Sequence, residues 1–141
     1  MVRCNMFFAG LIGALVSVPA NFLLLRPMGA LLGTPAPPKD FEDFAGYIAT
    51  FQMKDFIGPL VAHWNGALCG ALAASYFYRG DSKALALGVA AFVFVGGVLN
   101  YFMLPGQPVA FLCIDLLGYF PAGYLGFILA QKLRGKHRNT E

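Results

Sequence analysis

The chain has 141 residues, a formal net charge of +3, 58% hydrophobic residues and only 12% charged ones. Soluble domains carry roughly 25% charged residues, and disordered chains combine low hydrophobicity with high charge. Both classes are excluded, which leaves an all-α polytopic membrane protein.

A bilayer-crossing helix needs about 20 mostly apolar residues. Runs of that length predict spans at 6–25, 57–78, 84–104 and 109–131, forming a four-transmembrane-helix bundle in one membrane domain, 1–141. The runs lack the alternation of a β-barrel. The first run exceeds the ~7–15 residues of a signal-peptide core, so it reads as a retained helix. Near its outer end it carries Asn21, with Ser17, Ala14 and Gly10 on the same face. Pro19 should kink it.

Residues 27–56 form the long loop. Pro35, Pro37 and Pro38 forbid a helix in its first part. Asp40 then suits an N-cap, and Phe41, Phe44, Ile48 and Phe51 share one helical face. A short amphipathic helix is expected, lying on the membrane surface or folded over the bundle. It is either a connector that hides its own apolar face or a lid.

The second span brings His63 and Asn65 near its outer end, then the small residues Gly66, Gly70 and Ala74. Trp64 points about 100° away from His63 and fits an aromatic belt at the outer interface. The third span ends with Asn100 over Gly97 and Gly96. The fourth places Asp115 early, followed by Gly118, Ala122, Gly126 and Ala130; Pro121 should kink it. The basic tail, 132–141, contains Lys132, Arg134, Lys136 and Arg138.

Lysine and arginine set the orientation. Arg3, Arg79, Lys83 and the four tail cations share one side, seven in all, against Arg26, Lys39 and Lys54 on the other. Both termini are therefore expected in the cytoplasm. This accounts for the tail without a nucleic-acid partner.

Asn21, His63, Asn100 and Asp115 all fall about 8–10 Å from the outer boundary, at 1.5 Å per residue. Small residues let helices approach closely in lipid, so the small faces should turn inward and bring His63 and Asp115 together. An ionised Asp at that depth costs about 2.5–3.5 kcal/mol on insertion scales. The layer is either interhelical glue or a proton or ligand site.

Cys4, Cys69 and Cys113 lack metal-ligand or disulfide spacing, and no cofactor or nucleophile motif is present. Partners are then the lipid bilayer and a second copy or larger membrane complex, since four helices enclose little volume.

The segments FIGPLVAHWNGALCGALAA, ALGVAAFVFVGGVLNYFMLPGQP and IDLLGYFPAGYLG resemble a family of small, uncharacterised bacterial four-helix integral membrane proteins, through Ala62, His63, Gly66, Gly70 and Asp115. The resemblance implies the four-helix fold and the bacterial inner membrane, and no activity. The expectation is a non-enzymatic accessory or interaction bundle, with a small ligand as candidate occupant of its polar layer. The alternative is a proton-coupled carrier or channel using His63 and Asp115. An intramembrane enzyme comes third.

Overall fold

The computed structural model describes residues 4–36, 38, 40, 44–78, 80–104 and 106–138, with side chains through Gly135. Five α-helices follow in order: α1 (Met6–Leu32), α2 (Phe44–Ala49), α3 (Ile57–Phe77), α4 (Lys83–Met103) and α5 (Val109–Arg138). Four helices are long and apolar enough to cross a membrane: α1, α4, α5, and α3 together with the 3₁₀ turn before it. The chain is a multi-pass helical-bundle membrane protein. The start of α1 and the end of α5 lie at one end, called here the terminal end. The end carrying α2 is the loop end.

The Asn5 side chain opens α1 by accepting the Phe8 amide at 2.9 Å, which satisfies one of the free donors of a first turn. The helix does not stop at Leu25, the end of the expected span, but runs through Pro27 to Leu32. Proline costs a helix one hydrogen bond and a steric clash. Docking offsets that here, because Gly58 of α3 meets Met28 and Gly29 just beyond the proline. Gly33 then ends the helix at φ 68°, with Gly33 N–H donating to Ala30 and Thr34 N–H to Gly29. That paired pattern needs a left-handed residue, which glycine adopts without penalty. At about 40 Å, α1 exceeds the ~30 Å hydrocarbon core.

The described part of the loop helix runs from Phe44 to Ala49, and Phe51 lies beyond its end. The expected Asp40 cap falls on a start that includes residues 41–43, outside the described residues. Phe41 and Pro37 lie outside the described residues. The helix folds over the bundle rather than out along the membrane: Ile48 is buried with Phe56 and Phe111, and Phe44, Tyr47, Phe51 and Leu60 pack around them. The turn before α5 tucks beneath α2, with Gly106 facing Ala45 and Ile48.

Within the bundle α3 packs along α1 and α5, and α4 lies against all three. The interior is made of small residues. Ala9, Ala62, Ala67, Ala71, Ala74, Ala86 and Ala90 are buried, whereas Phe7, Leu15, Leu23, Phe102 and Leu117 face outward. In lipid that arrangement is favourable, because close backbone packing replaces the hydrophobic drive between helices. A Cβ on Gly13 would lie 2.7 Å from the Gly70 carbonyl oxygen, and one on Gly66 2.9 Å from that of Ser17. Gly126 presses on the Leu68 carbonyl, and Gly118 lies under the Trp64 ring. Ala74 faces Gly13, and Ala122 is buried beside Tyr119.

The last span also outruns its sequence boundary of 131, since α5 continues to Arg138. Cations are favourable near a helix C-terminus, so the basic residues extend the helix instead of ending it. Arg134 has a further role: it donates to the Tyr78 carbonyl and to Ser82 Oγ. Part of the expected tail is thus a brace on the α3–α4 turn.

Candidate functional site

His63 and Asp115 are each the seventh residue of their helices, α3 and α5, counted from the loop end. That shared offset sets them at the same depth. His63 Nδ1 lies 2.8 Å from Asp115 Oδ2. The Tyr119 hydroxyl donates to the same Oδ2 at 2.9 Å, and the Trp64 indole N–H donates to the Asp115 carbonyl at 3.1 Å. Asp115 is only 2% exposed and the His63 side chain 13%. Asp115 Oδ1 has no hydrogen-bond partner and is shut off from solvent.

Tyr119 stands one turn after Asp115, and residues four apart share a helical face. Its ring lies nearly parallel to the His63 ring, with centroids 6.3 Å apart. Gly97 of α4 leaves room for its hydroxyl. Sequence reasoning passed over Tyr119 because it followed the small residues at Gly118 and Ala122; the polar tip one turn below the carboxylate was the available signal. Trp64 is a correction of another kind. Its indole turns onto α5 across Gly118 instead of standing only as a lipid anchor. It also lines an open apolar groove of about 620 Å³ with Leu24, Asn65 and Leu68.

The expected four-residue layer is divided. His63 and Asp115 meet. Asn21 and Asn100 are half-buried, and among the described residues neither hydrogen-bonds to the pair. Asn65 serves α1 instead, donating to the Ala20 carbonyl at 2.8 Å. No group of three or more His, Cys, Asp or Glu side chains able to hold a metal gathers among the described residues.

The α2 cluster sits directly above the pair. Ring centroids follow one another from Phe44 to Tyr47 (5.3 Å), Phe51 (4.8 Å), Phe56 (5.3 Å), Phe111 (4.8 Å) and His63 (6.5 Å). Tyr47 ties this cap down by donating to the Pro35 carbonyl at 2.6 Å. Asp55, an acid the sequence reading overlooked, is 4% exposed. It accepts from the Thr34 hydroxyl and the Gln52 amide, joining the end of α1 to the start of α3.

An ionised carboxylate only accepts hydrogen bonds, so Oδ2 requires a proton on His63 Nδ1. With neutral imidazole the cluster carries one negative charge at membrane depth. A second proton, on His63 Nε2, makes it neutral overall. The arrangement can therefore hold or release one proton without breaking its own hydrogen bonds. No family model, curated protein or solved structure matches this chain.

Proposed function

We propose that this chain is an accessory subunit of the bacterial inner membrane, both termini cytoplasmic, working as a homo-oligomer or within a larger complex. It belongs with the small four-helix proteins that its last three spans resemble. Its working element is a proton-binding site formed by His63, Asp115 and Tyr119. One observation carries this: Asp115 receives both donors on Oδ2 and leaves Oδ1 with none. A cluster serving only as glue gains by satisfying both oxygens, since a buried unpaired acceptor costs about 1–3 kcal/mol.

The close backbone contacts of Gly13 with Gly70 and of Gly126 with Leu68 lie between the site and the terminal end. They favour a binding role over a single-chain channel. Among the described residues no Ser, Thr or Cys is hydrogen-bonded to the pair, which favours binding over nucleophilic catalysis.

Trp64 is the only tryptophan and is bonded to the Asp115 backbone, so its emission reports on the site. In lipid nanodiscs the wild-type emission should change reversibly with pH as the cluster gains or loses its proton. Asp115→Asn should keep helicity and lose that change. A flat wild-type profile, or the same profile in the folded variant, overturns the proposal.

A further inference from the structure

Two features of the loop end converge. One is a carboxylate with a free oxygen at the bottom of the site. The other is the file of rings that descends to it from α2 through Phe56 and Phe111. We infer that the cluster binds a primary organic ammonium ion in exchange for its proton, the ammonium N–H donating to Asp115 Oδ1 and its organic part lying among the rings. This rests on the proton-binding reading and names the ligand class of the same site.

The chemistry selects that class. Aromatic faces attract weakly hydrated cations, and the attraction grows when water is excluded. A calcium-like ion would need six to eight oxygen ligands, and the cluster offers one carboxylate and one phenol. A neutral ligand would leave the negative charge of Asp115 uncompensated whenever His63 is neutral. The ammonium ion compensates it.

The exchange balances. Before binding, His63 carries protons on both ring nitrogens and the cluster is neutral. On binding, the Nε2 proton leaves and one positive charge replaces another. The Nδ1–H to Oδ2 bond stays in place throughout.

The ionisable groups around Asp115 are few. From α3 it faces His63, and on its own helix Tyr119. The second half of α4 offers Asn100 and Tyr101 and no charged residue. Above the rings, Tyr47 and Asp55 are engaged with Pro35, Thr34 and Gln52. On α1, Asn21 is neutral and Arg26 is exposed. His63 is therefore the group whose proton the ammonium displaces. Because Oδ1 is sealed, entry requires the packing around it to open.

The test uses the full chain in nanodiscs, with benzylammonium as probe and benzyl alcohol as its neutral counterpart. Benzylammonium should shift Trp64 emission saturably and release close to one proton per ion bound in weak buffer. One-for-one exchange makes the half-saturating concentration rise about tenfold per unit fall in pH while His63 is protonated. Benzyl alcohol should do neither, and Asp115→Asn should abolish both responses. Equal responses to the two probes, or binding without proton release in the wild type, overturns the inference even if the variant fails to fold. A wild-type pH response with no ammonium response removes the ligand and leaves the proton site standing.

Discussion

Two polar clusters brace the same helices at opposite ends, and they are finished differently. At the terminal end Ser82, fully buried, accepts from Gln131 at 3.3 Å and from Arg134 at 3.2 Å through one hydroxyl, and its carbonyl takes the Ser75 hydroxyl at 3.5 Å. At the loop end the His63–Asp115–Tyr119 cluster leaves Asp115 Oδ1 empty, the one buried side-chain polar atom without a partner among the described residues. A closed network of hydroxyls, an amide and a guanidinium has nothing left to exchange and acts as a clasp. A carboxylate with an open oxygen beside an imidazole retains capacity for a proton. Polarity inside a membrane bundle therefore does not by itself mark a site. Incomplete satisfaction is what sets the loop-end cluster apart as the candidate.

Both clusters depend on one framework, so the largest expected effect breaks them together. Gly126 presses on the Leu68 carbonyl at the α3–α5 crossing that lies between them. Gly126→Val should force these helices apart, at about 1–3 kcal/mol or more for overpacking. Thermal unfolding in detergent should shift down, and the Trp64 pH response should fade at the same time. A stable variant with an intact response would mean that the two ends are positioned independently.

The next effect separates the ends. Ser82→Ala removes the shared acceptor of Gln131 and Arg134, with a stability loss of about 1–3 kcal/mol for the unpaired groups. The pH response of Trp64 should be unchanged. Asp115→Asn is its mirror image: a modest stability change and a lost response. If Ser82→Ala alters the pH profile as strongly, the distinction between clasp and site fails.

Much of this was legible in the sequence, and the exceptions share a cause. Apolar run length located every span. Residue offsets along each span placed His63 and Asp115 at one depth, and the small residues on their faces brought them together. The apolar runs end near Leu25 and Gln131, at an Arg-Pro pair and a run of cations. Tertiary docking of Gly58 and the Arg134 brace carried both helices further. Asn21 meets α3 at Gly66 and Asn100 is half-buried, yet among the described residues neither hydrogen-bonds to the pair; one-dimensional spacing fixes depth better than rotation about the axis. Tyr119, Trp64 and Asp55 were underestimated because their roles depend on which neighbour they meet.

The smallest effect concerns the cap. Burial, and after it the Asp55 carboxylate, hold the Tyr47 phenol above its ordinary range. The folded loop thus binds that proton more tightly than the unfolded chain does. The stability contributed is complete below the ordinary phenol pKa and is lost as pH rises through the raised value. Tyr47 is half-buried, and solvent screening keeps the contribution modest. Amide exchange in α2 should accelerate beyond its intrinsic base dependence only above about pH 10, and Tyr47→Phe should exchange faster at neutral pH without that step. If α2 instead opens at lower pH, in parallel with the Trp64 response, the cap is coupled to the His63–Asp115 proton rather than to its own phenol, and the loop end works as one unit.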